Sequence, residues 1–403
     1  MAIEIINPPR GGLRTALETV WMAFGDLPGD DDVESEEKLM PVDRILIADD
    51  DGGAVGIAAA YPFALTIPGG VLPAGGVTWV GVLPSHRRRG VLTALMRRQL
   101  DDLHARGEPL AILWASEPAI YGRFGYGIAA PSWVLEAEKD RFRFRNDPGP
   151  NGTVRLVDPD EAARVFPPVY ESMRRAIPGT LARTKIWWAE HRLDDLESSR
   201  RGAGPKFYAA LELDRAVAGY AIYRIKSNWE DGIPRSELRI VEAFAVSPAA
   251  TRELWRFLFG IDLVTKVVMF SFDPASPLFL TVADVRSLHL QVTDGLWLRL
   301  VDVEAALRGR SYADAEPVVL AVRDAFCPWN EGRFRVGSGE IESTTAAADV
   351  EIDAAGLASA YLGAFDFHRL ATADLARERR KGGLERASAL FHTARAPFCP
   401  EVF

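Results

Sequence analysis

The chain has 403 residues, 48% of them apolar, and a formal net charge of −9. That length predicts two to four domains at roughly 100–200 residues each, and the apolar content is ample for packed cores, which excludes a disordered chain. The acidic balance argues against a general nucleic-acid binder, whose footprint is a basic face or stripe.

Met1 to Ile6 lack a basic segment followed by an apolar core, and no later run is long enough to span a bilayer, so a cytoplasmic protein is expected. Residues 25–37 form an acidic loop: either a solvated charge run or a surface that attracts a polyamine or aminoglycoside. The run 78–83 (Thr-Trp-Val-Gly-Val-Leu) reads as a strand that Pro84 ends. His86-Arg87-Arg88-Arg89-Gly90 follows, and then Leu92, Leu95, Met96, Leu100 and Leu103 mark one face of a helix that Gly107 stops.

Three cations at a helix N-terminus oppose the macrodipole, which favours negative charge there. A pyrophosphate resolves the conflict, because free backbone N–H groups, the dipole and the arginines then face one polyanion. Gly90 would let the backbone approach it. From these residues alone, a solvated basic loop stays open as the other reading.

Downstream, 111–116 is a buried-strand candidate and Tyr121-Gly-Arg-Phe-Gly-Tyr126-Gly127 a tight turn. A Pro/Gly/Asn-rich linker at 145–152 closes a first domain, placed at 1–148, and a strand resumes at 153–157. A faint repeat follows: 54–61 is echoed by 216–223, and Val82-Leu83-Pro84-Ser85 by Val246-Ser247-Pro248-Ala249. In the second copy, placed at 149–293, Thr251-Arg252-Glu253-Leu254 aligns with the arginine loop. The glycine is gone and the charge largely neutralised, so only the first copy is expected to hold a polyanion.

The third region, 294–403, reads as short strands at 318–323, 332–336 and 350–353, then helices at 357–363 and 384–391, an α+β layer. The last residues, Pro397 to Phe403, are apolar and proline-stiffened, unlike a polar frayed end. Cys327 and Cys399 are the only cysteines, which argues against a disulfide framework and fits a reducing compartment, with one bridge between them left open. The six histidines lack zinc-site spacing, so no metal is expected, and no Gly-x-Ser-x-Gly elbow appears.

The segment Arg87-x-x-Gly90-x-Leu92 after a strand resembles the phosphate-binding motif of the GCN5-related N-acetyltransferases, except that Leu92 stands where a small residue is usual. Thr78 to Val91, Ala115-Ser116-Glu117 leading into Ile120 to Gly127, and the closing Glu401-Val402-Phe403 are similar to the enhanced intracellular survival (Eis) acetyltransferases, over essentially the whole chain. The resemblance implies an α+β fold: tandem acetyltransferase domains, the second degenerate, then a sterol-carrier-like domain. It implies acetyl-coenzyme A as co-substrate, held by Val80, Gly81, Val82, Arg87, Arg88, Arg89, Gly90, Val91 and Ser116, and a homo-hexamer.

It also implies Tyr121 as general acid toward the departing thiolate, not Tyr126, and the α-carboxylate of Phe403 as general base. A terminal carboxyl has an ordinary pKa of roughly 3.5, so burial or a water relay must help it accept a proton. Asp26 matches a substrate-pocket aspartate of the family, and Trp79, Trp114 and Trp188 are placed around the same pocket, against the plain reading of tryptophans as core. The acidic residue that precedes the terminal phenylalanine in the family is Val402 here, with Glu401 one place removed, which leaves aminoglycoside preference open. The expected reaction is direct attack by a primary amine (aminoglycoside, polyamine or lysine-type) on the thioester in a ternary complex. The other reading is an apolar-ligand carrier whose acetyltransferase domains are vestigial.

Overall fold

The computed structural model describes residues 3–9 and 11–403. It forms two compact units, one of Met1–Ala130, Leu296–Pro397 and Glu401–Phe403, the other of Pro131–Gly295 and Phe398–Pro400.

In the first unit, strands β1 (Glu4–Ile6), β2 (Ile45–Asp50), β3 (Gly53–Ile67), β4 (Gly70–Val82) and β5 (Leu110–Trp114) lie in that order in one sheet. Residues 296–300 pair antiparallel with β5 beyond it. The β3–β4 hairpin is long and nearly continuous, from Gly56↔Val82 to Ile67↔Gly70. Strands β4 and β5 are parallel but pair only over Ala74–Gly76 and Leu110–Ile112. Past those residues they part, and Val77–Val82 leave one backbone edge free of β5. The helix read from its leucine spacing, α3 (Val91–Ala105), packs Val91, Leu95, Met96, Leu100 and Leu103 into the core. Its burial is the one the 3.6-residue period dictates.

Helix α1 (Leu13–Phe24) ends at Gly25, whose φ of 85° suits a left-handed cap. The acidic segment is a helix too, α2 (Asp30–Leu39), where the sequence suggested a loop. Asp30, Asp31 and Asp32 occupy its first turn and Lys38 its last, which matches the macrodipole at both ends. Asp32 also accepts from the Gly29 N–H at 2.9 Å. The carrier-like part of this unit is a five-stranded sheet in the order 340–343, 332–337, 318–323, 350–353, 376–378, with helices Ala354–Tyr361, Phe367–Thr372 and Gly383–Phe391. The short helix Phe367–Thr372 and strand Ala376–Glu378 carry no period long enough to have been read from sequence.

The second unit repeats the pattern: residues 133–138, then strands Val264–Phe272, Ser236–Ala245, Ala216–Lys226, Phe207–Leu213 and Thr153–Val157, in that order. Helix Pro248–Gly260 begins directly after Ser247, whose side chain accepts from the Ala250 N–H. Thr251 to Leu254 therefore lie inside this helix, which corrects the alignment with the arginine loop. Pro248 at the first helical position starts the helix at once, whereas Pro84 opens only the short 3₁₀ turn Pro84–His86, and α3 waits until Val91.

The mouth of that second helix is thus filled by its own serine. Ser247→Ala should lower stability by about 1 kcal/mol in a denaturant titration and leave affinity for acetyl-coenzyme A unchanged by calorimetry.

Candidate active site

Between β4 and α3 the chain makes an open anion-facing loop. Arg87 is extended, Arg88 is left-handed at φ 64°, and Gly90 is left-handed at φ 85°. Among the described residues, no side chain caps α3. The left-handed angle at position 90 favours a glycine, and a Cβ there would meet nothing within 4 Å, so the space in front of Gly90 is open. His86 pairs with Asp50 at 3.1 Å, which ties the loop to β2.

A cavity of about 620 Å³ opens onto this loop. Of the residues expected there, Val80, Gly81, Val82, Arg87, Arg88, Gly90, Val91 and Ser116 line it; Arg89 does not. Phe24, Thr93, Glu117 and Arg123 line it as well. Arg123 lies inside the turn already singled out, and its charge was a usable signal. Phe24 sits at the end of α1, a region that carried no motif.

A second cavity of about 430 Å³ is lined by Asp26, Trp79, Trp114, Ser116, Tyr121 and Phe403, with Trp21, Phe24 and Val80 among its other walls. Both volumes fall in the range of small-molecule sites. The two cavities share Phe24, Val80, Ser116 and Tyr121. Asp26 is exposed, and its carboxylate accepts from the Leu27 N–H at 2.8 Å. The buried Trp114 Nε1–H has no hydrogen-bond partner among the described residues. Glu401 is buried and does not line the cavity. Trp188 lies elsewhere: it packs in the core of the second unit, edge-on to Tyr170 and under the Arg183 guanidinium. For Trp188 the plain core reading holds.

Tyr121 is held between two 3₁₀ turns, Pro118–Ile120 and Gly122–Phe124, at 4% exposure. Burial, then the charge of Glu117, pushes its pKa up to about 12, so the phenol keeps its proton at neutral pH. Tyr126 meets it edge-on at 5.9 Å and is wholly buried. Beneath the turn lies Arg299, fully buried and paired with Asp324. Gly125 is required here, because a Cβ would stand 2.5 Å from that guanidinium.

The tail has no regular structure, yet Pro397 to Glu401 are buried, so its backbone groups need partners. In the second unit the Phe398 N–H donates to the Pro178 carbonyl at 2.8 Å, Ser271 Oγ donates to the Cys399 carbonyl at 3.0 Å, and Arg192 donates to the Pro400 carbonyl at 3.1 Å. Cys327 and Cys399 are both buried thiols with no disulfide between them. Among the described residues no cluster of His, Cys, Asp and Glu is arranged to hold a metal, and no helix is long and apolar enough to cross a membrane.

This combination of folds is that of a GCN5-related acetyltransferase. The acetyltransferase (GNAT) domain family matches residues 7–129, a second acetyltransferase (GNAT) family matches 179–300, and the sterol carrier protein domain matches 303–400. An uncharacterised N-acetyltransferase of Streptomyces avermitilis is 40% identical over 393 residues, 96% of each chain. N-acetyltransferase Eis of Mycobacterium tuberculosis is 36% identical over 390 residues, 92% of each chain. The crystal structure of Eis1 from Mycobacterium abscessus superposes with a TM-score of 0.86 over 100% of both chains at 34% identity. The chain belongs to the Eis family of N-acetyltransferases.

A hydrogen-bonded pair outside the cavity linings, Glu36 and Tyr61, had no sequence signal. Glu36 on α2 accepts a hydrogen bond from the Tyr61 hydroxyl at 2.6 Å. Burial raises its pKa from 4.5 to about 7, opposed by the Tyr61 hydrogen bond and reinforced by Asp32. The folded chain therefore prefers the neutral carboxyl. Its favourable contribution is complete below about pH 4.5, where both folded and unfolded chains hold the proton, and is lost between pH 4.5 and 7. Glu36→Gln should raise the thermal midpoint by a few degrees at pH 8 and leave it unchanged near pH 4.5, as read by scanning calorimetry.

Proposed function

We propose that the protein transfers the acetyl group of acetyl-coenzyme A to a primary amine, with Tyr121 as proton donor and the α-carboxylate of Phe403 as proton acceptor. The observation that carries the reading is the shared wall: Tyr121 borders both cavities, and the chain's last residue borders the smaller one.

The larger cavity suits the donor. Arg87, Arg88 and Arg123 supply positive charge, the uncapped start of α3 supplies backbone N–H groups, and a pyrophosphate satisfies both. The free edge of Val80 to Val82 offers main-chain groups to the amide arm of the same molecule. When bound, the co-substrate supplies a thioester carbonyl for attack. The smaller cavity suits the acceptor: Asp26 offers an anion to an ammonium, and the unpaired Trp114 indole N–H offers a donor to a polar neighbour of that amine.

In this scheme Phe403 takes a proton from the ammonium, directly or through water, and frees the nitrogen lone pair. Tyr121 holds a proton that its raised pKa retains until the thiolate leaves. Acceptors of aminoglycoside, polyamine or lysine type fit the acidic wall at Asp26, while assembly as a hexamer and a cytoplasmic location follow the family resemblance. A free-thiol release assay with acetyl-coenzyme A and a panel of such amines tests the activity. Turnover with at least one is expected; none with any would overturn the reading.

Tyr121→Phe should cut kcat by about 10²–10³-fold with donor affinity intact, and an unchanged kcat would remove its assigned role. Because Tyr121 titrates only near 12, no alkaline loss of activity below pH 10 should trace to it: wild-type and Tyr121→Phe profiles should run parallel there. Arg88→Ala should raise the donor KM about tenfold, with a weaker dependence on salt than wild type. Residues appended after Phe403 should abolish turnover while leaving donor binding measurable by calorimetry.

A further inference from the structure

Five side chains form a continuous contact chain that ends on two walls of the smaller cavity, Trp79 and Phe403. The Glu36 carboxylate accepts from Tyr61 at 2.6 Å, and Trp79 acts as a donor toward the same Tyr61 side chain. The rings of Tyr61 and Trp79 meet edge to face at 6.2 Å. On its other side Tyr61 lies 5.5 Å from Phe63, which meets the terminal Phe403 ring at 4.9 Å. Trp79 and Phe403 line the cavity; Glu36 and Tyr61 do not.

Trp79 is also strained. It has φ 53°, in the left-handed region that bulky aromatics avoid, at the point where the β3–β4 register shifts between Ile57 and Ala59. Such a backbone is unfavourable and persists only where its surroundings over-determine it. Tyr61 supplies that constraint. Above about pH 7 Glu36 is ionised and acceptor-only, so it directs the Tyr61 proton toward itself and leaves the phenol oxygen's lone pair for a donor on the other side. An apolar residue would fill the same space without the penalty of burying a carboxyl, but would leave the hydroxyl free to turn.

We propose that Glu36 is a positioning residue of the acceptor pocket, fixing the Trp79 indole through the Tyr61 hydroxyl and the Phe403 ring through the Tyr61–Phe63 contact. The inference rests on the reading of the smaller cavity as the acceptor site.

The test compares wild type with Glu36→Ala, Glu36→Gln and Tyr61→Phe, once wild-type turnover of an amine is in hand. Glu36→Ala and Tyr61→Phe should raise the acceptor KM about tenfold and keep the donor KM within about twofold of wild type. Glu36→Gln, which still accepts through its amide oxygen, should restore the acceptor KM. In a Trp79→Phe background the effect of Glu36→Ala should shrink, as expected of coupled groups. An unchanged acceptor KM in folded Glu36→Ala, or donor and acceptor KM rising together, would overturn the proposal. If Glu36→Ala does not fold, Tyr61→Phe, which keeps the ring, carries the same comparison. If wild type acetylates no amine, the functional reading fails separately, and crystal structures decide the inference: displaced Trp79 and Phe403 rings in Tyr61→Phe support it, and wild-type positions sink it.

Discussion

The parting of β4 from β5 is the constraint on which the site depends. Three residues on each strand pair, Ala74–Gly76 with Leu110–Ile112, and then the strands separate. A continuous parallel ladder would have consumed the backbone groups of Val80 to Val82 and closed the space between the strand ends. The bulge at Trp79 turns the departing strand, and the loop Arg87 to Gly90 then carries the chain around to α3. Ligand sites at the carboxyl ends of parallel strands are a general outcome of this geometry; here both cavities lie at that end.

The two acetyltransferase-like halves show how little must change to lose such a site. Both have a strand, a proline and an amphipathic helix in the same order. In the first half the proline opens a 3₁₀ turn and the helix is delayed, leaving a loop with two left-handed residues and an uncapped N-terminus. In the second, Ser247 caps the helix and Pro248 is its first residue. The N–H groups that would have faced an anion are answered locally.

Much of this was legible in the sequence, for identifiable reasons. The leucines of α3 recur with helical period, and the strands at 318–323 and 350–353 have the bounds read from their apolar runs. The arginine loop stood out because its charge contradicts the dipole, and its lining role follows for Arg87 and Arg88, though Arg89 faces elsewhere. Trp188 shows the limit of residue type as a guide: an indole is equally at home in a core, and only its neighbours Tyr170 and Arg183 decide. Helix α2 was hidden because its composition is that of a solvated loop; the gain comes from where the aspartates fall, at the first turn. The Glu36–Tyr61 pair was invisible because it joins positions 25 residues apart in different elements.

The buried stretch near the end of the described chain carries a consequence for the order of folding. Pro397 to Glu401 are buried without belonging to any helix or strand, so neither a ladder nor a helical turn organises their backbone. Ser271 and Arg192 reach the Cys399 and Pro400 carbonyls from 128 and 208 residues away in the chain. Contacts so remote in sequence must first meet the entropy of closing a long loop, so this stretch settles only once the strands and helices that carry its partners are in place.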